Sequence, residues 1–353
     1  MDKLNNTRIR ERSLLPTSNE VREQYPIHGA ERDLVVKSRR ALERILLGKD
    51  HRLLAVVGPC SMHNMNEVFR YAKQLARLSA TFRSQLVVVM RFCGDKPRTG
   101  KAWPGFWSDP YMDGSYDFVR GWTESRRIAL RILELGLPLA CEFLDTAHYQ
   151  YIDDLVSYTW VGARDVGSQP MRKRASGLST PVGLKNHNSG GVDLALNAIE
   201  VVRAKNFFAD PDEYGKPTRF KTAGNPFAHL ILRGTKDGPN YDSDNVAEAV
   251  RRLTAHGFLE RVVVDVSHDN SRKDHKRQAD VIRDVVGQVA VGGPIAGFMY
   301  ESFLQDGRQD IPADLSELRP GVSVTDACDG WERTEEVLRW AHRRLSQRRI
   351  ERK

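Results

Sequence analysis

Short runs of apolar residues recur along this chain, and nearly every run stops at a residue suited to chemistry rather than to packing. Each run has the length of a buried strand. The runs span residues 53–57, 86–90, 138–141, 158–163, 181–184, 229–232, 261–266 and 295–300. Charged side chains are costly to bury in a core, so such endings indicate strand ends that meet at a shared mouth. This layout predicts an α/β fold, the (β/α)8 TIM barrel.

Segments with apolar residues at helical spacing alternate with these runs. They span residues 66–80, 117–136, 147–157, 191–204, 243–256, 273–287 and 330–347. One more amphipathic helix is predicted at 33–47, after a polar arm (1–32) that shows no periodicity of its own. Aromatic and β-branched residues around Tyr214-Gly215-Lys216-Pro217 predict an inserted β-hairpin at about 206–228. We therefore expect an arm and helix over 1–48 and a barrel over 49–353.

Length and composition agree with one large domain. The 353 residues accommodate a barrel of about 250 residues plus an extension, and 40% apolar content supplies a full core. Neither a long uncharged apolar run nor a hydrophobic N-terminal segment is present, so we expect a cytoplasmic protein with no membrane partner. The four cysteines are widely spaced, a pattern that suits reduced thiols better than a disulfide framework.

The net charge of +8 is compatible with nucleic acid, an anionic membrane surface or an anionic substrate as the partner. Much of the excess lies in the C-terminal tail, at Arg343, Arg344, Arg348, Arg349, Arg352 and Lys353. Basic residues at that place compensate the dipole of the last helix. Since no RNA-binding signature or zinc-finger spacing accompanies them, we expect no nucleic-acid partner.

A thiol, an imidazole and two carboxyl groups lie at the predicted strand ends or just beyond them: Cys60, His268, Glu301 and Asp326. Mixed sulfur, nitrogen and oxygen donors suit one divalent ion such as Mn, Co, Fe or Zn. The four residues are far apart in sequence. A buried structural cysteine and a surface aspartate therefore explain them equally well from spacing alone.

Six basic residues form a second group near the strand ends: Arg91, Lys96, Arg98, Arg164, Lys185 and Arg233. Arginine and lysine bind phosphate and carboxylate groups, and six converging cations would repel one another without an anion among them. The group predicts a strongly anionic substrate with more than one phosphate. Surface charge explains any single member, but it explains poorly Arg91, Lys185 and Arg233, each of which ends an apolar run.

Eight motifs follow one another from the first strand to the last helix. They are Gly58-Pro59-Cys60-Ser61, Lys96-Pro97-Arg98-Thr99, Gly162-Ala163-Arg164, Lys185-Asn186, Ile231-Leu232-Arg233-Gly234, Asp265-Val266-Ser267-His268, Glu301-Ser302 and Ser323-Val324-Thr325-Asp326-Ala327-Cys328. Together they resemble the type I, feedback-regulated microbial branch of the 3-deoxy-D-arabino-heptulosonate 7-phosphate (DAHP) synthases. The resemblance implies a metal-dependent condensation of phosphoenolpyruvate with D-erythrose 4-phosphate. This reaction releases phosphate and is the first step of the shikimate pathway to chorismate and the aromatic amino acids.

The resemblance also implies a role for each matching residue. One divalent metal ion would be bound by Cys60, His268, Glu301 and Asp326. The phosphate of phosphoenolpyruvate would be bound by Arg164, Lys185 and Arg233, and its carboxylate by Arg91 and Lys96. The aldose phosphate would be bound by Pro97, Arg98 and Thr99. Behind these residues, Glu142 would stabilise positive charge that develops during the reaction.

The chain departs from the family pattern near the expected substrates. The departures are Trp103-Pro104-Gly105 for Trp-Lys-Gly, Asp165-Val166-Gly167 for Thr-Thr-Glu, His187-Asn188-Ser189 for Gly-Thr-Asp, and an inserted Gly238. They leave open a different acceptor, an amino-tetrose or pentose phosphate, in a specialised pathway. A non-catalytic barrel that binds an effector is the second alternative. The Lys96-Pro97-Arg98-Thr99 motif favours the four-carbon acceptor, and the complete set of metal-ligand types favours catalysis.

Regulation is implied by the same resemblance. In the family the N-terminal arm helps form an allosteric pocket for an aromatic amino acid, which implies Tyr149, Gln150 and Ser179 here. Tyr149 stands where proline is usual, so we expect weak or absent inhibition by phenylalanine, with tyrosine and tryptophan left open. The alternative is that the arm only buries a subunit interface. The family assembles as a homodimer or homotetramer, which is the expectation for this chain.

Overall fold

The computed structural model describes residues 4–98 and 100–347. Thr99 of the predicted aldose-phosphate site lies outside the described residues, as do the tail residues Arg348, Arg349, Arg352 and Lys353. Eight parallel strands close into a barrel in the spatial order β1-β10-β9-β8-β5-β4-β3-β2. They are β1 (Leu53–Gly58), β2 (Leu86–Arg91), β3 (Leu139–Glu142), β4 (Val156–Val161), β5 (Val182–Lys185), β8 (Ala228–Leu232), β9 (Val262–Asp265) and β10 (Ile295–Glu301). A hairpin of β6 (Phe207–Pro211) and β7 (Pro217–Lys221) lies between β5 and β8 in the chain.

Helices cover the outside of the barrel. They are α1 (Ser18–Gln24), α2 (Gly29–Leu46), α3 (Met65–Ala80), α4 (Phe118–Glu134), α5 (Gln169–Ala175), α6 (Asp193–Arg203), α7 (Ser243–Ala255), α8 (Gln278–Ala290) and α9 (Trp331–Ser346). Short 3-10 turns occur at His148–Tyr151, His275–Arg277 and Leu315–Glu317. Among the described residues, no helix is long and apolar enough to cross a membrane.

The barrel opens at one end only. Leu42, Ile45 and Leu46 of α2 join the same buried cluster as the inward-facing strand residues Leu54 and Val263. This helix therefore closes the barrel at the amino ends of the strands. The carboxyl ends, where polar side chains replace apolar ones, remain open to solvent and can hold a site.

The N-terminal arm is more ordered than its sequence suggests. Thr17 and Glu20 form a capping box that starts α1, because each side chain bonds to the backbone of the other residue. The amide of Asn19 then donates to the carbonyl of Glu213, in the turn of the hairpin, at 3.0 Å. Arm and hairpin therefore contact each other within one chain.

The predicted fold class is confirmed, including the arm, its helix and the inserted hairpin. Each of the eight predicted barrel strands is found to within two residues at either end. The helix predicted over 147–157 is wrong, since only a 3-10 turn forms at His148–Tyr151 before β4 begins at Val156. Neither α1 nor α5 was predicted.

Candidate active site

A cavity of about 320 Å³ lies at the carboxyl ends of the barrel strands. Most of the residues predicted to bind substrates or metal contribute to its wall: Lys96, Pro97, Arg98, Glu142, Arg164, Lys185, Arg233, His268 and Asp326. They come from strands or loops that are distant in sequence. The structure therefore brings the two predicted groups, cations and metal-ligand types, into one chamber.

Four of the six cations are paired with carboxylates. The pairs are Arg91 with Glu301, Lys96 with Glu142, Lys185 with Asp265, and Arg233 with Asp269. The expectation that the cations would repel one another without a bound anion is therefore wrong for these four, because the chain supplies its own counter-charges. In the part of the chain that the structure describes, Arg98 and Arg164 have no carboxylate within 4.0 Å.

Asp265 links two of the predicted roles. Its side chain is fully buried, and its Oδ2 lies 2.6 Å from Lys185 Nζ and 3.0 Å from His268 Nδ1. Burial alone would raise the pKa of Asp265, but the charges of His268 and Lys185 lower it well below its usual value. Asp265 is therefore ionised at neutral pH and holds the Lys185 ammonium group and the His268 imidazole at the same time.

Lys96 and Glu142 form the second buried pair, with 3.7 Å between Nζ and Oε2. Although burial opposes it, the neighbouring Cys60 and the carboxylate of Glu142 raise the pKa of Lys96 well above its usual value. The pKa of Glu142 is lowered, because Lys96 and Lys185 outweigh the effect of burial. A Cβ atom at Gly162 would lie 2.5 Å from Glu142 Oε1, so only glycine leaves room for this carboxylate.

Three of the four predicted metal ligands converge. One donor atom each from Cys60, Glu301 and Asp326 lies within 4.8 Å of the other two. His268 is not part of this trio, although it lines the cavity beside Asp326. Its Nδ1 is held by Asp265, which is how metal-binding histidines are usually oriented for coordination by the other nitrogen. Its backbone φ of +56° is uncommon for a non-glycine residue and typical of functional sites.

This donor set fits a divalent ion of borderline hardness. It offers one sulfur and two carboxylates whose donor atoms lie within 4.8 Å of one another, with an imidazole at the same cavity wall. Burial and the neighbouring Glu301 raise the pKa of Cys60 well above its usual value. Such a thiol needs a cation beside it to lose its proton, and binding of a metal would supply one.

Arg91 lies behind the cavity rather than in its wall. The side chain is 1% exposed, Nη2 donates to Glu301 Oε1 at 2.9 Å, and Nε donates to the carbonyl of Pro59 at 3.2 Å. Its Nη1 is buried and has no hydrogen-bond partner within residues 4–98 and 100–347. In this arrangement Arg91 holds Glu301 and has one donor left for a further acceptor.

Comparison with known proteins identifies the family. The model of the DAHP synthetase I family matches residues 24–339. The chain belongs to the DAHP synthetase I family. It is 42% identical over 339 residues to the Trp-sensitive phospho-2-dehydro-3-deoxyheptonate aldolase of Enterobacter agglomerans, covering 96% of this chain and 97% of that one. The Tyr-sensitive enzyme of Salmonella typhimurium is 40% identical over 346 residues, covering 98% and 97%.

A solved structure agrees with this assignment. The phospho-2-dehydro-3-deoxyheptonate aldolase of Francisella tularensis superposes with a TM-score of 0.94 at 35% identity, over 97% of this chain and 99% of that one. The activity predicted from the sequence motifs is confirmed: the chain condenses phosphoenolpyruvate with erythrose 4-phosphate in the shikimate pathway. Of the three interpretations that the sequence left open, this finding favours the first.

A second cavity of this DAHP synthetase family member lies near the amino ends of β4 and β5 and has a volume of about 580 Å³. Tyr149 and Ser179 line it, together with Phe208 and Phe220 of the hairpin. Gln150 is not part of the wall, but its Nε2 donates to the carbonyl of Pro211 at 2.9 Å. The three residues implied in regulation are thus gathered between barrel and hairpin.

Two carboxylates that pair with cations of the cavity were not predicted from the sequence. Asp265 was seen only as part of a motif, and Asp269, which pairs with Arg233, was not considered. An aspartate inside an otherwise apolar strand was a readable signal, because a buried carboxylate needs a cationic partner. Nothing in the spacing around Asp269 singled it out.

Proposed function

We propose that the cavity at the barrel mouth binds both substrates and that Lys185, Arg233 and Arg164 hold the phosphate of phosphoenolpyruvate. Lys185 and Arg233 are each fixed by a carboxylate, so they need little reorganisation when an anion arrives. Arg164 Nη1 donates to the carbonyl of Pro97 at 3.1 Å and otherwise faces the open part of the cavity. The convergence of these three cations on one chamber carries the proposal.

The carboxylate of phosphoenolpyruvate is assigned to Lys96 and Arg91. The raised pKa of Lys96 keeps its ammonium group charged throughout the working range of pH. The unsatisfied Nη1 of Arg91 is the donor that can turn to a second acceptor. Both cations are already held by Glu142 and Glu301, so they act as oriented donors rather than mobile ones.

The acceptor sugar is assigned to Pro97, Arg98 and Thr99. Pro97 and Arg98 lie in the cavity wall, and Thr99 follows them outside the described residues. Since Arg98 has no carboxylate partner within 4.0 Å in the described part of the chain, it is available to the phosphate of erythrose 4-phosphate. Separate sets of cations for the two phosphates orient the two substrates relative to each other.

The metal site is assigned to Cys60, His268, Glu301 and Asp326, with Mn, Co, Fe or Zn as candidates. When bound, the ion supplies Lewis-acid polarisation of the aldehyde carbonyl. The protein side chains assist the remaining steps of the condensation. The enol carbon C3 forms a bond to the aldehyde carbon, whose oxygen takes up a proton, and positive character develops at C2. The ionised Glu142 stabilises this charge until water adds at C2 and loses a proton, after which the C2–O bond breaks and phosphate leaves.

Phosphate release from phosphoenolpyruvate tests the function with a panel of aldose phosphates. Erythrose 4-phosphate should be the preferred acceptor, ahead of an amino-tetrose phosphate and a pentose phosphate. A preference for either of the other two would mean that the enzyme uses a different aldose phosphate as its acceptor substrate. No release with any of them, in metal-loaded protein, would exclude catalysis.

Regulation is proposed for the second cavity. Tyr149 is 3% exposed, and its hydroxyl bonds to Thr159, so its ring fills part of the space beside Ser179. Weak or absent inhibition by phenylalanine is expected. Inhibition assays with phenylalanine, tyrosine and tryptophan, on the full chain and on a variant without residues 1–32, decide the question. Strong phenylalanine inhibition that disappears on deletion would contradict it.

Assembly and location complete the proposal. Leu14 and Ile9 of the arm are 100% and 41% exposed, which supports a homodimer or homotetramer in which the arm meets another subunit. If deletion of residues 1–32 dissociates the oligomer without changing inhibition by aromatic amino acids, the arm serves only as a subunit interface. All four cysteines are free and buried, which supports a cytoplasmic location.

A further inference from the structure

A second cluster of metal-ligand types lies outside the catalytic cavity. It consists of His275, Asp306 and Asp329, one donor atom of each lying within 4.8 Å of the other two. His275 starts the 3-10 turn before α8, Asp306 lies in the loop after β10, and Asp329 lies two residues before α9. The donors therefore come from segments that meet only in the folded chain.

Two polar atoms of this cluster have no hydrogen-bond partner among the residues that the structure describes. Asp329 is fully buried, and its Oδ2 accepts from the Tyr300 hydroxyl at 2.7 Å, but its Oδ1 is buried without a hydrogen bond. His275 Nε2 is also buried without one, although Asp306 Oδ2 is 3.1 Å away. A buried oxygen and a buried nitrogen in this condition each cost free energy unless a further group binds them.

Among the described residues, Asp329 forms an ion pair only with Arg333. Its Nε lies 3.7 Å from Oδ1, too far for a hydrogen bond, and its Nη1 donates instead to the carbonyl of Lys276 at 3.2 Å. The side chain of Arg333 is 42% exposed. It can therefore move aside when a cation binds.

We propose that His275, Asp306 and Asp329 form a binding site for a divalent first-row cation, distinct from the catalytic metal site. One imidazole nitrogen and two carboxylates are ordinary ligands of Zn, Mn, Co and Fe. Half of the Asp306 side chain is exposed, so water can complete the coordination from the solvent side. None of its three donors is a thiol, which separates this site chemically from the one at Cys60.

Hydrogen bonds to the backbone of Glu301 join this site to the proposed catalytic metal site. The amide of Asp329 donates to the carbonyl of Glu301 at 3.1 Å. Gln278, three residues after His275, bonds to both the amide and the carbonyl of Glu301, each at 3.0 Å. A cation held here fastens the segments on both sides of Glu301, and so it positions this residue without touching the substrates.

Metal titration of the apo protein with Co²⁺ tests the proposal. The wild type should bind about two equivalents, and only the equivalent at Cys60 should give sulfur-to-metal charge transfer in the near ultraviolet. His275→Gln and Asp306→Asn should lose the equivalent that has ligand-field bands alone, with affinity for it reduced at least about 10-fold, since even an outer-sphere partner is worth that much. Asp310→Asn is the matched control, because Asp310 is an exposed aspartate in the same loop.

The outcomes are distinguishable. Loss of the charge-transfer band in Cys60→Ser, with the second equivalent retained, supports both sites. A wild type that binds one equivalent, unchanged in His275→Gln and Asp306→Asn, overturns the proposal and leaves an ion-pair cluster. If the protein binds a single equivalent of Co²⁺ that is kept in Cys60→Ser but lost in His275→Gln, the assignment of the catalytic metal site to Cys60 is refuted instead. Circular dichroism checks that each variant is folded, and the two variants avoid the fully buried Asp329.

Discussion

Asp265→Asn is the change that most directly tests how the site is built. Asparagine has nearly the same shape as aspartate and can still accept from Ser267, whose amide lies 3.1 Å from Oδ1. What it removes is the negative charge shared by Lys185 and His268. The variant therefore separates the electrostatic role of Asp265 from its packing.

The expected cost is large because the partner is buried. Lys185 is 4% exposed, so its ammonium group would lose its counter-charge in a place that water barely reaches. Breaking one side of a buried ion pair costs about 3–5 kcal/mol of the free energy of unfolding. Affinity for phosphoenolpyruvate and for metal should each fall by about 10- to 100-fold, since both Lys185 and His268 lose their orientation.

The pH dependence has a definite sign. The folded-state pKa of Asp265 lies well below its value of 3.8 in the unfolded chain, so its stabilising effect is fully present above that value and is lost only as the pH falls below it. The difference in stability between wild type and variant should then be constant from about pH 8 to about pH 5. Urea unfolding at several pH values measures it.

A double variant sharpens the test. Lys185→Met combined with Asp265→Asn removes both charges, so it should be more stable than Asp265→Asn alone. Asp310→Asn, at an exposed ion pair, should change the free energy of unfolding by under about 0.5 kcal/mol. An Asp265→Asn variant within about 1 kcal/mol of the wild type, or a double variant whose loss equals the sum of the single losses, would refute the reasoning.

Three further predictions concern single residues. Cys60→Ser should lose metal and activity together, and wild type treated with EDTA should lose both as well. A Cys60→Ser variant with full activity and unchanged metal content would show that Cys60 is not a metal ligand. Arg233→Ala should raise the KM for phosphoenolpyruvate by about 10- to 100-fold, and Arg98→Ala should act chiefly on the aldose phosphate; calorimetry with each substrate tells them apart. Burial lowers the pKa of His229 from 6.5 to about 4, so its contribution to stability is present above pH 6.5 and is lost as the pH falls toward 4. His229→Gln should abolish up to about 3 kcal/mol of that acid sensitivity in urea unfolding, and an unchanged pH profile would count against it.

Most of the barrel could be predicted because each strand is apolar on both faces and ends at a polar residue. The errors occurred where distant partners decide the local structure. Residues 147–157 have helical spacing, but Asp153 and Asp154 are held by Arg22 and Arg126 from other segments, and the strand starts at Val156. The helix Ser18–Gln24 had a readable signal, the Thr17 and Glu20 capping box.

The site was predictable in its residue types but not in its pairing. Strand ends supplied Arg91, Lys185 and Arg233, and the barrel fold dictated that they converge. Which carboxylate neutralises which cation depends on side-chain reach across the mouth, as with Asp269 and Arg233, and no spacing rule encodes that. The separation of His268 from the other metal-ligand types has the same origin.

The pairing changes how substrate binding should be understood. If Lys185 and Arg233 bind phosphate as proposed, a phosphate that enters the cavity meets cations that are already neutralised, and it shares them with Asp265 and Asp269. Because Asp265 also holds His268, any shift of Lys185 toward phosphate alters the charge beside the imidazole. Occupation of the anion site and of the metal site should therefore be coupled, and reciprocally so. Metal affinity measured with and without phosphoenolpyruvate would show the coupling, and Asp265→Asn should weaken it.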